Sequence, residues 1–241
     1  YGFHLKKNRY GKLLIKVEAP LNDMTDYGTL GFFAGKIAGQ ETPVFTGIPT
    51  DPTQEQLKAL SAALPASGSV SMFHAVGVTP EAPTLAEAFG GQKPERVYVF
   101  GPVEKEQSEA ALDREPSNRV DWVQIGCPHA SMEEIREVAD ALEGKKVHED
   151  VTLWVTTASA MYAMAERVGY VKTIEGAGGV IVQETCPFLA RSRVIAPNKG
   201  FTTLTTNSAK MAFYAPGQFG LPSHFGNLDR VMKAAISGVW N

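Results

Sequence analysis

Two short stretches carry the residue types best suited to chemistry: Gly126-Cys127-Pro128-His129-Ala130-Ser131 and Gln183-Glu184-Thr185-Cys186-Pro187. They hold the only two cysteines of the 241-residue chain. Each follows an apolar run that reads as a buried strand, and the first leads directly into a helix. Both thiols therefore belong at strand ends, where open α/β folds build their sites. Cys127 stands just before a helix start, where backbone N–H groups favour a thiolate, the form a soft metal centre requires. Two buried, inert thiols are the alternative reading of the same residues. A mononuclear zinc site is disfavoured, because no Cys-x-x-Cys or His-x-x-x-His spacing exists. A Cys127–His129 nucleophilic pair is also disfavoured, since residues so close on one loop seldom face each other.

Three further groups have the right donors. Asn207-Ser208-Ala209-Lys210 follows Thr202-Thr203-Leu204-Thr205-Thr206. Hydroxyls, an amide and a lysine can bind a carboxylate, or simply cap the next helix as a solvated turn. Thr156-Thr157-Ala158-Ser159 opens another helix and is either its N-cap or an anion site. His74 lies within an apolar run and reads as a hydrogen-bonded core histidine, although Gly77 to Glu81, at that run's end, could line a site. Gly176-Ala177-Gly178-Gly179 precedes a strand and lacks a trailing Lys-Ser/Thr, so it reads as a turn rather than a phosphate loop.

The elements that must position these residues follow from periodicity. Helices are expected over 51–64, 84–90, 104–112, 131–143, 158–168 and 228–236, with capping boxes at Thr53/Gln56, Thr84/Glu87 and Ser131/Glu134. Strands are expected over 13–17, 69–76, 96–100, 120–125, 151–155, 180–182 and 201–204. Strands alternating with helices imply parallel sheets joined by right-handed crossovers. The first 45 residues show little autonomous pattern, and Gly28, Gly31 and Gly35 punctuate their apolar stretch. They read as the tail of a preceding region, followed by an α/β subdomain over 46–118 and a second α/β domain over 119–241.

Bulk properties narrow the function. A net charge of −3 and no basic run argue against nucleic-acid binding. No stretch approaches the ~20 apolar residues of a membrane span, and no signal-peptide pattern opens the chain. An apolar content of 44% suits a globular protein, and two cysteines suit the cytoplasm.

The order of the motifs resembles the third domain of aconitase and, more closely, the aconitase X family. The resemblance rests on Gly126–Ser131, Gly169-Tyr170, Gly178-Gly179, Thr185-Cys186, Asn207–Lys210, Tyr214-Ala215-Pro216-Gly217 and Gly238-Val239-Trp240. Upstream, Phe73-His74 and Gly77-Val78-Thr79-Pro80-Glu81 also look like that family. The resemblance implies an α/β fold with aconitase-like parallel sheets and helices on both faces. It implies an iron–sulfur hydro-lyase, with a cluster of 2Fe–2S, 3Fe–4S or 4Fe–4S type acting on a small hydroxy acid.

Carried over residue by residue, Cys127 and Cys186 are cluster ligands, while His129, Lys210 and Ser208 are catalytic. Thr156, Thr157, Asn207 and His74 bind substrate. Aconitase's Cys-Gly-Pro-Cys pair is here Cys186-Pro187-Phe188-Leu189, and the Asn-Ser-Gly-Lys of the aconitase X family has Ala209 for Gly. A third cysteine and a serine would then come from partners: an N-terminal large-subunit region and a small swivelling domain. The chain alone is expected to be incomplete as an enzyme. The resemblance implies one of two substrates: cis-3-hydroxy-L-proline, favoured by the modest 20% content of charged residues, or phosphomevalonate, kept open by Arg191 and Arg193. A cluster-free binding module of the same fold is the reading from a different class.

Overall fold

In the computed structural model, which describes residues 2–190 and 192–241 (the side chains of 192 and 193 excepted), the chain divides into two units, one ending at Glu109 and one starting at Ala110.

The first unit is built on a four-stranded, all-parallel sheet. Its elements, in order, are β1 (Leu13–Val17), α1 (Met24–Ala38), β2 (Pro43–Thr46), α2 (Gln54–Gly68), β3 (His74–Ala75), α3 (Leu85–Ala88), β4 (Arg96–Phe100) and α4 (Pro102–Leu112). Strand order is β3-β2-β1-β4. Successive residues of a strand face opposite sides of the sheet. Leu13, Ile15 and Val17 pack with α1 and α2, whereas Leu14 and Val44 pack with Ala82, Ala88 and Phe89 on the other side.

The division differs from the boundaries expected from the sequence. From Leu13 on, the N-terminal stretch is integral to this unit: β1 lies between β2 and β4, with Leu13 and Ile15 fully buried. The unit ends at Glu109 rather than 118. The glycines that obscured α1 are the reason it packs closely. A Cβ on Gly31 would stand 2.8 Å from the Leu60 carbonyl oxygen, and one on Gly35 would stand 2.5 Å from that of Leu64. The strand expected over 69–76 shrinks to His74–Ala75. Helix α2 runs on through Gly68 and ends on Ser69 in the left-handed region at φ 65°.

The second unit carries β5 (Trp122–Ala130), α5 (Met132–Leu142), β6 (Thr152–Thr157), α6 (Ser159–Arg167), α7 (Tyr170–Gly176), β7 (Val180–Gln183), α8 (Ser192–Asn198), β8 (Leu204–Thr206), α9 (Ala209–Phe219), β9 (Ser223–Phe225) and α10 (Leu228–Ser237). The sheet is all-parallel, in the order β7-β6-β5-β8-β9. Helices cover both faces. Val123, Ile125, Leu153 and Val155 pack with α5, α7 and α10, and Trp122 and Leu204 pack with α8 and α9. The capping boxes at Thr53 and Ser131 form with both reciprocal hydrogen bonds. At Thr84 the hydroxyl accepts from the Glu87 amide and donates to its carboxylate.

The strand order steps outward from β5 through β6 to β7, then returns to the other side of β5 for β8 and β9. The reversal between β5 and β8 is a topological switch point, the place where the loops leaving parallel strands part and leave a crevice.

Candidate functional site

Loops from the C-terminal ends of β5, β7 and β8 meet at this switch point. β5 does not stop at Ile125 as expected. It pairs with β6 up to Ile125, bulges through Gly126, Cys127, Pro128 and His129, and pairs again at Ala130. The bulge is held from beneath. The Thr156 hydroxyl donates to the Gly126 carbonyl at 2.6 Å and accepts from the Gln124 amide at 3.1 Å. The Thr157 hydroxyl donates to the Ala130 carbonyl at 2.7 Å. Gly126 adopts φ 88°, and a Cβ there would lie 2.1 Å from the Thr156 carbonyl oxygen. Only glycine meets both demands. The Cys127–Pro128 peptide is cis.

The other two loops then attach to this bulge. His129 Nε2 lies 3.0 Å from the carbonyl oxygen of Thr185, the residue before Cys186. The Ser208 hydroxyl donates to the Cys127 carbonyl and accepts from the Met211 amide at 3.2 Å, so one side chain caps α9 and grips the Cys127 loop. Cys127 packs beside Trp154 and Phe188 against the aromatic cluster of Trp122, Phe201 and Phe219. Phe188, two residues past Cys186, stacks on Phe219 at 5.1 Å. Both thiols are half-buried. The Cys186 carbonyl accepts from the amides of Leu189 and Ala190, each at 2.9 Å, closing a turn after the cysteine. Lys210, half-buried in the first turn of α9, makes no ion pair among the described residues.

Cys127, His129, Cys186 and Ser208 thus belong to loops in mutual contact, and Asn207 is buried beside Ser208. The structure places three further groups singled out in the sequence. Thr156 and Thr157 are buried, and their hydroxyls donate to backbone carbonyls of the Cys127 loop. His74 is a core histidine of the first unit, 2% exposed, with Nε2 2.7 Å from the Arg9 carbonyl oxygen. The hydroxyl-rich run at Thr202 and Thr203 does bind a carboxylate, but one of this chain. Buried Asp121 accepts from both amides and both hydroxyls at 2.8–3.1 Å. Arg191 lies outside the described residues, as does the side chain of Arg193.

Glu184 was missed. Its carboxylate accepts from the Ser159 amide at 2.6 Å and the Ser159 hydroxyl at 2.7 Å, at the start of α6. Those bonds, with the His129 ring adding to them, hold the carboxyl below its ordinary range despite the opposing effect of desolvation. The anion at this helix end is therefore the chain's own. A signal was available: the N-cap is Ala158, which has no side-chain acceptor, so the cap had to come from elsewhere.

The donor chemistry suits a soft metal centre in part. Cys127 and Cys186 are half-buried on loops that touch through His129 and Thr185, and thiolates are donors that a soft metal centre accepts. Among the described residues, no group of three His, Cys, Asp or Glu side chains is gathered to hold an ion unaided.

Comparison with known proteins agrees with this architecture. Residues 11–112 match the aconitase X second domain, and residues 120–237 match the aconitase X third domain. The chain is 38% identical over 240 residues to the cis-3-hydroxy-L-proline dehydratase of Pseudomonas aeruginosa, covering 98% of this chain and 41% of that protein. It is 40% identical over 237 residues to the phosphomevalonate dehydratase large subunit of Methanothermobacter thermautotrophicus, covering 97% of this chain and 55% of that subunit. The crystal structure of Thermococcus kodakaraensis aconitase X, in its holo-form, superposes with a TM-score of 0.85 at 31% identity, over 98% of this chain and 57% of that one. The chain thus spans about half the length of the relatives it matches, and it belongs to the aconitase X family, of which it comprises the second and third domains.

Proposed function

We propose that this chain supplies the cluster-binding half of an aconitase X hydro-lyase that removes water from a small hydroxy acid. The observation that carries the reading is the contact of the Cys127 and Cys186 loops through His129 and Thr185. Cys127 and Cys186 would hold the cluster, and a further thiolate must come from outside these 241 residues, which contain two cysteines. Bound there, the cluster would supply Lewis acidity toward a substrate hydroxyl and carboxylate.

The chain's own residues do the rest. Lys210 and Asn207, beside the Ser208 cap, offer charge and hydrogen bonds to a carboxylate. His129 turns Nε2 to the Thr185 carbonyl, which can only accept, so that nitrogen is the donor of this bond. Ser208, engaged on both sides, holds the Cys127 loop while lying at the same crevice. A preceding region and a small swivelling partner complete the site in this reading, as the large-subunit names of several relatives suggest.

The proposed substrate is cis-3-hydroxy-L-proline, the compound named for the 38% identical relative. Phosphomevalonate is the second reading, favoured by the 40% identity to a phosphomevalonate dehydratase large subunit.

The test is anaerobic incorporation of iron and sulfide into the chain combined with the parts its relatives carry. Cys127 and Cys186 should become protected from alkylation together as a broad visible absorbance develops. C127S and C186S should each abolish both signals. Unprotected thiols with no absorbance would reject the cluster. Supplying each compound to the loaded protein and following water loss identifies the substrate.

A further inference from the structure

We infer that Glu184 is the positioning residue that sets where the Cys186 thiol stands relative to Cys127, an inference that rests on the cluster reading above.

Three consecutive positions are tied down differently. Glu184 is tethered at two points: its amide donates to the carbonyl of Thr157 at the end of β6, at 3.0 Å, and its carboxylate takes both donors of Ser159 at the start of α6. Thr185 is tethered to the Cys127 loop through His129. Cys186 follows at once and closes its own turn onto Leu189 and Ala190. The thiol is therefore delivered from a segment pinned one and two residues upstream.

Backbone strain supports the assignment. Among the described residues, only Ser69 and Glu184 are non-glycine residues with positive φ, and Glu184 stands at 50°. A left-handed residue with a Cβ costs on the order of 1 kcal/mol. Glycine would remove that cost, but it could not reach Ser159. A long carboxylate on a left-handed residue is needed if the turn must both reverse the chain after β7 and fasten it to α6. The same hydrogen bonds stabilise α6, so a cap alone would explain them. The two roles differ in what they do to the thiols.

Cadmium ion alone, titrated into the reduced 241-residue chain and followed by thiolate-to-metal ultraviolet absorbance, reads the placement of both thiols. The wild-type chain should bind one ion through both cysteines, and C127S and C186S should each lose it. Glu184→Gly keeps the backbone unstrained while removing the tether; it should weaken cadmium binding about tenfold, the equivalent of about 1.4 kcal/mol. Glu184→Gln, whose carbonyl still accepts from Ser159, should stay within about threefold of wild type. Ser159→Ala should weaken binding in the same direction, and adding it to Glu184→Gly should have no further effect, because both remove one tether. Wild-type cadmium affinity in Glu184→Gly, with only a lowered melting temperature, would overturn the inference and leave a helix cap. A wild-type chain whose cadmium signal survives C127S or C186S would instead reject the shared-thiol site itself.

Discussion

His129 Nε2 stands 3.0 Å from the carbonyl oxygen of Thr185, and this contact joins loops whose cysteines are 59 residues apart in sequence. It fixes the tautomer of an otherwise half-buried imidazole and brings two strand ends together across an intervening strand, since β6 lies between β5 and β7. The bulge after Ile125 makes that reach possible.

The bulge depends on Gly126. Gly126→Ala combines a positive φ with a Cβ 2.1 Å from the Thr156 carbonyl oxygen. It should destabilise the second unit by about 3 kcal/mol, from overpacking and left-handed strain together. Denaturant unfolding measures this, and faster alkylation of Cys127 should accompany it.

The Thr156 hydroxyl supports the Cys127 loop from beneath. Thr156→Val keeps the shape and removes bonds to Gly126 and Gln124. Stability should fall by about 1–3 kcal/mol, the cost of leaving buried partners unsatisfied. Steady-state kinetics of the assembled enzyme should show KM nearly unchanged. A large rise in KM with unaltered stability would restore a substrate-binding role.

The α1–α2 contact predicts intolerance at Gly35. A Cβ there would lie 2.1 Å from the Ser67 hydroxyl and 2.5 Å from the Leu64 carbonyl oxygen. Gly35→Ala should cost about 1–3 kcal/mol even though alanine is the better helix former. A thermal melt of the variant that matches or exceeds wild type would show that the helices are free to separate.

Glu109 gives a pH-dependent test in the first unit. Burial raises its pKa above the ordinary carboxylate value, with Asp26, Asp23 and Glu106 adding to the rise and Lys105 opposing it. A carboxyl whose folded pKa is raised contributes its full stability below the unfolded value, near pH 4, and loses it as pH rises through the folded value. At pH 7 the ionised group opposes folding. Glu109→Gln should therefore raise the melting temperature at pH 7 and have little effect at pH 3.5.

What the sequence determined by itself was everything set by near neighbours. The boxes at Thr53 and Ser131 close over three residues, so their residue types announce them. The β/α alternation and the loops bearing Cys127 and Cys186 were legible because strand and helix periods repeat within ten or so residues. The tertiary structure decided what depends on distant partners. Helix α1 was illegible because glycine is a poor helix former, and its glycines serve contacts with α2 some thirty residues away. Thr202 and Thr203 offered donors whose acceptor, Asp121, lies 81 and 82 residues earlier. Glu184 showed no motif of its own, since its partner Ser159 is 25 residues upstream and meets it only once β6 and β7 pair. A donor's chemistry is written in its side chain, whereas its use depends on which acceptor the packed sheet brings within 3 Å.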